Sequence, residues 1–270
     1  MPARIHDLLE IDAERFLRAH SSVPAWVADS LRQTPFVVVR RGPISDQEIS
    51  IGVRGARRNE RWAGGCHPSL VNEILTPQTL LSRVPALAVT PATMAPAAAA
   101  VPSAALAETP AAASVAPTAA ALSRAIAIPA LRTLSLLTQR WKAFDSSWGP
   151  GGSVGFELAT GRHVVTPQSD LDVVIYAPRR MTVNEARLLR DSTQGLPAPI
   201  DIRVETPICG FSLVEYASRA PAPILLRTAS GALLGADPWE AQDTTGADQP
   251  ATAQPAAAQP ATDPPIAGHR

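Results

Sequence analysis

The sequence predicts an α+β protein with two folded domains, and three observations support this class. Runs rich in β-branched residues occur in both halves of the chain and predict strands. These runs are residues 36–40, 49–54, 170–176 and 200–205. After Pro129, which suits the first turn of a helix, Leu134, Leu137 and Trp141 recur at helical spacing. A long stretch of mostly Ala and Pro separates the two halves.

Two segments differ in composition from the rest of the chain. Residues 85–121 are mostly Ala and Pro, and the repeated prolines interrupt the helix that a bilayer would require. We interpret them as a flexible linker and expect no membrane partner. Residues 241–270 contain Gln-Pro-Ala repeats and too few large apolar side chains to offset the entropy of ordering, so we expect a disordered tail. An N-terminal α+β domain (1–84) and a second domain (122–240) remain, and we expect them to pack together.

Charge and cysteine content narrow the partners and the location. The chain has 24 basic and 24 acidic residues, so its net charge does not call for nucleic acid as a partner. Cys66 and Cys209 lie far apart without metal-ligand spacing, which favours reduced, buried thiols over a zinc site or a disulfide. The charged N-terminus lacks the apolar run of a signal peptide, and we therefore expect a cytoplasmic protein.

Arginines follow the predicted strand pair of the first domain. The strands at 36–40 and 49–54 flank a Gly-Pro turn, and a short basic helix around Arg57, Arg58 and Arg61 is expected after them. Guanidinium groups match phosphate geometry, so Arg54, Arg57 and Arg58 are candidates for substrate binding or for docking an acidic protein. A solvated helix face explains the same charge run equally well.

A glycine-rich loop precedes the acidic motif of the second domain. The loop spans residues 148–153, and the apolar run 154–158 after it is expected to form a strand that turns at 160–162. Glycine lets backbone amides approach an anion, so Gly152 and the hydroxyl of Ser153 are candidates for binding phosphate. Alone this signal is weak, because Gly, Pro and Ser also dominate plain turns.

Three aspartates are the candidate metal ligands. Residues two apart in a strand project to one face, so Asp170 and Asp172 converge while Leu171 and Val173 point into the core. Asp201 opens the alternating run that predicts a neighbouring strand. Three clustered carboxylates repel one another unless a divalent cation neutralises them, and Mg²⁺ is the expected cofactor. The alternative is that the acids only begin strands in solvated turns.

These motifs resemble known enzymes. Gly152-Ser153, Asp170-Leu171-Asp172 and an acid on the next strand resemble the nucleotidyltransferase superfamily of the polymerase-β type. Longer runs resemble the phosphoribosyl-dephospho-CoA transferase family, the holo-acyl-carrier-protein synthases of malonate decarboxylase. These runs are residues 6–9, 24–27, 38–41, 52–55, 152–161, 169–172, 205–207 and 237–239. The resemblance implies a polymerase-β-like domain, with a mixed sheet and flanking helices, beside the smaller N-terminal domain.

The resemblance also implies an activity. The expected reaction transfers 2′-(5″-triphosphoribosyl)-3′-dephospho-CoA to a serine of the acyl carrier protein subunit of malonate decarboxylase, with release of pyrophosphate. Asp170, Asp172 and Asp201 would hold Mg²⁺, Asp201 would accept the serine proton, and Ser153 with the loop amides would position the phosphates. The alternatives are transfer to another protein or small molecule, and a catalytically inactive nucleotide-binding module.

Overall fold

The computed structural model describes residues 2–42, 47–55, 60–85, 118–218 and 223–240. Within these ranges the chain forms two β-sheets with helices packed around them, which confirms the predicted α+β class. Most of the predicted linker and all of the predicted tail lie outside the described residues.

The first part of the chain forms a five-stranded antiparallel sheet. Its strands are β1 (Leu8–Ile11), β2 (Phe36–Val39), β3 (Ile49–Arg54), β4 (Arg61–Cys66) and β5 (Val71–Leu75), in the order β4-β3-β2-β1-β5. Its helices are α1 (Ala13–Ala19), α2 (Ala25–Gln33) and α3 (Pro77–Leu80), with 3₁₀ turns at Pro68–Leu70 and Leu81–Arg83. The predicted strand pair is confirmed, since Val38 lies opposite Gly52.

One expectation for this part of the chain is wrong. Arg61 begins strand β4, where it pairs with Arg54, and is not part of a basic helix. The sequence signal was a cluster of arginines, but backbone pairing with β3 decides the conformation here. Arg57 and Arg58 lie outside the described residues.

The second part forms a six-stranded mixed sheet. Its elements are α4 (Ala119–Ala127), α5 (Pro129–Arg140), β6 (Ser147–Pro150), α6 (Gly152–Thr160), β7 (Leu171–Tyr176), α7 (Val183–Asp191), β8 (Ile200–Glu205), β9 (Gly210–Ser212), α8 (Leu213–Ala217), β10 (Ile224–Thr228) and β11 (Gly231–Gly235). The strand order is β11-β10-β9-β8-β7-β6, and of these pairs only β7 with β8 is parallel. Because α7 connects β7 to β8, their amino-terminal ends lie side by side.

Helix α4 corrects the expected boundary of the linker. Residues 119–121 were assigned to the Ala/Pro stretch but form the first turn of α4. The hydroxyl of Thr118 accepts a hydrogen bond from the backbone N–H of Ala121 at 3.2 Å, which caps the helix. No single described helix is long and apolar enough to span a membrane; α4 and α5 reach the required length only as a pair, bent by 100° at the break.

One face of the mixed sheet packs into the main core. Leu171 and Val173 of β7 are fully buried, as the two-residue period predicted, and Ile202 of β8 lies beside them. Leu134 and Leu137 of α5 join the same apolar cluster. The alternate residues of β7 and β8 face the opposite side, so polar side chains there are kept out of the core.

The glycine-rich loop leads into a helix, which is a second correction. Residues 154–158 were expected to be a strand followed by a hairpin turn, but they lie in α6. The helix begins after Gly151 and ends at Gly161, whose φ of 71° is the left-handed conformation common at helix ends. The alternation of Val154, Phe156 and Leu158 suggested a strand, yet the glycines at the two ends of this segment favour a helix.

The two parts of the chain are packed against each other, as expected. Leu8, Leu75 and Leu80 of the first part form an apolar cluster with Ala159 of α6. The Arg83 guanidinium donates to the carbonyls of Leu158 and Ala159 at 3.2 and 2.9 Å, at the carboxyl end of α6. Helix α6, which starts at the glycine loop, is therefore held by both parts.

Candidate functional site

The three predicted aspartates lie at the amino-terminal end of the parallel strand pair. Asp172 of β7 is the register partner of Asp201 of β8. Asp170 is exposed and immediately precedes β7. Asp172 and Asp201 are both half-buried, and their side chains share the face of the sheet opposite the core. The strand register thus places Asp172 beside Asp201, with Asp170 directly before β7.

The charges at this end of the sheet act on Asp172. Burial raises the pKa of the Asp172 carboxyl, and the neighbouring charges of Asp170 and Asp201 raise it further. The positive charges of Arg203 and Arg54 partly offset this rise in pKa. The ionised carboxylates therefore repel one another, and a cation placed among them would be stabilised.

The glycine loop lies directly against Asp172. The N–H of Gly151 donates to the main-chain carbonyl of Asp172 at 2.9 Å. Gly152 has a φ of 53°, and a methyl group added there would overlap the Asp172 carboxylate. Only glycine combines this backbone conformation with so close an approach. Gly152 and the carboxylate were both predicted as site residues, and the structure brings them together.

Ser153 occupies the first turn of α6. Helix α6 has nine residues, and no side chain caps its N-terminus. The first N–H groups of such a helix lack partners within the helix and carry partial positive charge, which suits a phosphate oxygen. Ser153 is half-buried in the turn that carries those amides. A helix start leaves several backbone N–H groups free to bind one phosphate, whereas the strand expected here would not group them in this way.

Arg203 is a site residue that the sequence reasoning missed. It follows Asp201 by two positions on β8, and its guanidinium donates to the Asp201 carboxylate at 3.0 Å. The same two-residue period that grouped Asp170 with Asp172 places Arg203 on the face of Asp201. That rule was available from the sequence and would have found this residue.

Of the three predicted substrate-binding arginines, only Arg54 lies among the described residues. Arg54 ends β3 in the first part of the chain, is exposed, and lies close enough to Asp172 for its charge to lower the pKa of that carboxyl. Its positive charge therefore acts on Asp172 from the first part of the chain. Arg57 and Arg58 lie outside the described residues, and their proposed phosphate contacts stay predictions.

The metal site is not preassembled in the described part of the chain. Within it, no group of three or more His, Cys, Asp or Glu residues is placed to hold a metal ion. Asp201 is engaged by Arg203 instead. The donors present are carboxylate oxygens, which is the ligand type that Mg²⁺ prefers, so the residues fit this ion in their chemistry.

A buried ion-pair cluster joins the two parts of the chain on the same face of the sheet. Glu205 at the end of β8 is 8% exposed and accepts hydrogen bonds from Arg41 and from Nε2 of His6, the latter at 2.8 Å. Next to it, the Tyr176 hydroxyl donates to the Ile5 carbonyl at 2.7 Å. The sequence reasoning included Glu205 only in a family-like run and gave it no role.

Glu157 holds the segment that leads to Asp170. It is buried in α6 and accepts hydrogen bonds from Arg124 at 2.5 and 2.9 Å and from the N–H groups of Val164 and Val165 at 2.8 Å. Burial alone would raise the pKa of Glu157, but these hydrogen bonds and the Arg124 charge lower it overall. The side chain thus orders the connection between α6 and β7.

The two cysteines are free, buried thiols, as expected. Burial raises the pKa of the Cys66 thiol to about 11, with a further contribution from Glu48. Burial likewise raises the pKa of the Cys209 thiol. Because the thiolate is the reactive form, the raised pKa values disfavour both thiols as nucleophiles.

Comparison with known proteins agrees with the resemblance seen in the motifs. Residues 4–77 match the family described as phosphoribosyl-dephospho-CoA transferase MdcG N-terminal domain, and residues 105–238 match the corresponding C-terminal domain. A phosphoribosyl-dephospho-CoA transferase of Pseudomonas aeruginosa is 32% identical over 87% of this chain and 92% of its own length. One from Klebsiella pneumoniae is 31% identical over 89% of this chain and 98% of its own. No solved structure shows a significant match.

These similarities define the class and then the family. The chain is an enzyme of the transferase class. It belongs to the phosphoribosyl-dephospho-CoA transferase family, whose members match it across both sheets.

Proposed function

We propose that this enzyme transfers the 2′-(5″-triphosphoribosyl)-3′-dephospho-CoA group to a serine of the apo acyl carrier protein subunit of malonate decarboxylase. The family name supports a dephospho-CoA-derived substrate and an acceptor. The observation that carries the chemistry is the register of Asp172 with Asp201, with Gly152 against the Asp172 carboxylate.

We further propose the polymerase-β-type nucleotidyltransferase fold for the second domain and a cytoplasmic location.

The reaction joins the serine oxygen to the α-phosphorus and breaks the bond between that phosphorus and the pyrophosphate oxygen. Pyrophosphate leaves with the bonding electrons, and the serine proton passes to a base. Asp201 is the proposed base, and in the absence of a bound ion its carboxylate is paired with Arg203. The proposed proton acceptor, Asp201, thus lies at the amino-terminal ends of β7 and β8, where the α-phosphorus would bind.

The phosphates need positive charge and donors on the side of the leaving group. The amides at the start of α6 and the Ser153 hydroxyl would bind the phosphate oxygens. Arg54 and Arg203 would add cationic charge, since both already act on Asp172. Mg²⁺ held by Asp170, Asp172 and Asp201 would lower the pKa of the serine and offset charge on the pyrophosphate. Binding of the ion would require Asp201 to move from Arg203 toward Asp172.

Intact-mass spectrometry of the carrier subunit tests this function. The enzyme is incubated with apo carrier protein, the triphosphoribosyl substrate and Mg²⁺, and the carrier should gain the mass of the prosthetic group as pyrophosphate appears. Asp172→Asn should abolish the gain, whereas Asp29→Asn, the same change at an exposed position of α2, should not. No mass gain with the authentic substrate, or full activity in Asp172→Asn, would contradict the proposal. Labelling of another acceptor from ATP would favour a different transferase reaction.

A further inference from the structure

A cavity of about 800 Å³ lies at the end of the mixed sheet away from the aspartates. It opens beyond Tyr176 and Glu205, the last residues of β7 and β8, and the segment 3–5 forms one wall. Neither the three aspartates nor the glycine loop line it. Tyr176 follows Asp172 by four residues along β7, a separation of roughly 13 Å at the rise of a strand.

Among the charged residues that line the cavity, the described contacts leave two cations without an ion pair. Two of its acids are already engaged, because Glu205 binds His6 and Arg41, and Glu185 accepts hydrogen bonds from Thr182. Of the basic residues, Arg180 pairs with Asp237 and Glu240. The cations left without an ion pair among the described residues are Arg4 and Arg179, against the exposed acid Asp145.

Arg4 and Arg179 differ in their surroundings. The Arg4 guanidinium lies 4.1 Å from the centre of the Tyr176 ring, and its charge acts on the buried Asp7. Arg179 is exposed on the loop after β7. Arg179 is therefore the cation most available to a ligand, and Arg4 is held in place over an aromatic ring.

Apolar side chains make up another part of the lining. Met181 and Leu189 are buried, Phe144 is half-buried, and all three face the cavity. The small polar residues Ser146 and Ser147 also line the cavity. A cavity lined by both cations and apolar side chains suits a ligand that has a phosphate group joined to a less polar arm.

We propose that this cavity, which we call the arm cavity, binds the dephospho-CoA moiety of the substrate. This inference rests on the proposed function, because that reaction requires a substrate with dephospho-CoA attached to the reacting triphosphate through a ribose. With the α-phosphorus at Asp172, the dephospho-CoA moiety must lie at a distance from the acids, and the arm cavity lies at the other end of the same strand. Its diphosphate contacts Arg4 and Arg179, and its pantetheine arm lies along Phe144, Met181 and Leu189.

Calorimetric titration of the full chain with dephospho-CoA, without Mg²⁺ or carrier protein, tests the arm cavity. Arg179→Glu reverses the available cation, and Ser146→Trp fills the space without touching the main core. Each should weaken dephospho-CoA binding by about tenfold or more, since a charge-assisted contact or much of the ligand's contact area is lost. Asp172→Asn should bind as the unchanged enzyme does. So should Arg132→Glu, the matched charge reversal at an exposed position of α5.

The outcomes separate this inference from the proposed function. If the unchanged enzyme fails to bind dephospho-CoA, or if both cavity variants bind it normally, the inference is wrong. Equal weakening by Arg132→Glu would also contradict it. So would a Ser146→Trp variant that loses binding of apo carrier protein but binds dephospho-CoA normally. If dephospho-CoA binds as expected but the carrier gains no mass, only the proposed transfer is refuted. Circular dichroism of each variant confirms that it is folded.

Discussion

Asp172 is restricted by its burial, by its neighbour on the parallel strand and by close contact with a glycine. It is half-buried, lies opposite Asp201 on the parallel strand, and has a glycine pressed against its carboxylate. Burial and the charges of Asp170 and Asp201 raise the pKa of its carboxyl. The ionised form is therefore maintained at a cost in folding free energy, which is common where a site is built for a ligand rather than for stability.

Replacement of Asp172 by Asn should stabilise the enzyme at neutral pH. Because the folded-state pKa is raised, ionised Asp172 destabilises the fold above that pKa, and the destabilisation is absent below its ordinary pKa of 3.8. The gain in unfolding free energy should therefore fade as the pH falls toward 4. Urea unfolding of both proteins across this range measures it. A variant that is less stable than the unchanged enzyme at pH 7 would contradict this view of the site.

Gly152→Ala should damage the site more than its backbone strain alone explains. Both Gly152 and Gly161 have positive φ, so alanine at either position costs roughly 1 kcal/mol of strain. A methyl group at Gly152 also overlaps the Asp172 carboxylate, whereas one at Gly161 meets no atom within 4 Å. Gly161→Ala is thus the matched control. Transfer activity should fall strongly only in Gly152→Ala, and equal losses in the two variants would argue against the close contact.

The positions of the site residues could be predicted from the sequence to a large extent. The two-residue period of a strand predicted that Leu171 and Val173 are buried, and the structure places Asp172 beside Asp201 on the neighbouring strand; the joint metal site of Asp170, Asp172 and Asp201 stays a prediction. Arg203 obeys that rule as well but was overlooked. What no local pattern contains is its ion pair with Asp201, which depends on side-chain geometry.

At the scale of elements, helix α6 differs most from the sequence-based expectation. Its apolar residues alternate as in a strand, but the helix begins at Gly152 and its last residue is followed by Gly161 in a left-handed conformation. The buried side chain of Glu157 then fixes the helix to α4 and to the next loop. These are contacts with residues far away in sequence, so the local pattern could not reveal them.

Glu157→Gln should destabilise the enzyme by about 2–4 kcal/mol, because it leaves Arg124 without its buried partner. The pKa of Glu157 is lowered in the folded state, so its contribution is fully present above the ordinary value of 4.5 and is lost as the pH falls through the folded-state pKa. Denaturant unfolding at pH 7 checks the magnitude. The exposed Glu14→Gln of α1 should have little effect. A loss as small as that of the control would show that Glu157 does not anchor the loop.

At the scale of the whole molecule, the two parts of the chain meet on the face of the sheet that carries the acids. Arg54 approaches Asp172 from the first part, and Arg41 with His6 binds Glu205 at the other end of the strands. The sequence predicted that the two parts pack together, but not which faces meet. That arrangement depends on complementary surfaces from distant residues, which no single segment encodes.

Gly149→Ala should disturb this interface. Gly149 of β6 lies against α3, and a methyl group there would overlap the backbone carbonyl of Pro77, which cannot move aside as a flexible side chain can. We expect a loss of stability of about 1–3 kcal/mol and lower transfer activity, because Arg54 would shift with the first part of the chain. Gly52→Ala, where the added methyl group makes only ordinary contacts, is the control for thermal unfolding. Unchanged melting of Gly149→Ala would contradict this packing.

The proposed chemistry requires Asp170, Asp172 and Asp201 together to hold a divalent ion beside the glycine loop. Anomalous X-ray scattering from crystals soaked with Mn²⁺, which replaces Mg²⁺ at oxygen ligands, tests it most directly. We predict one strong Mn²⁺ peak bound by these three carboxylates, with Asp201 released from Arg203, and no such peak in Asp172→Asn. A Mn²⁺ ion bound elsewhere, or an unchanged ion pair between Asp201 and Arg203 with no metal at Asp172, would refute the proposed magnesium site.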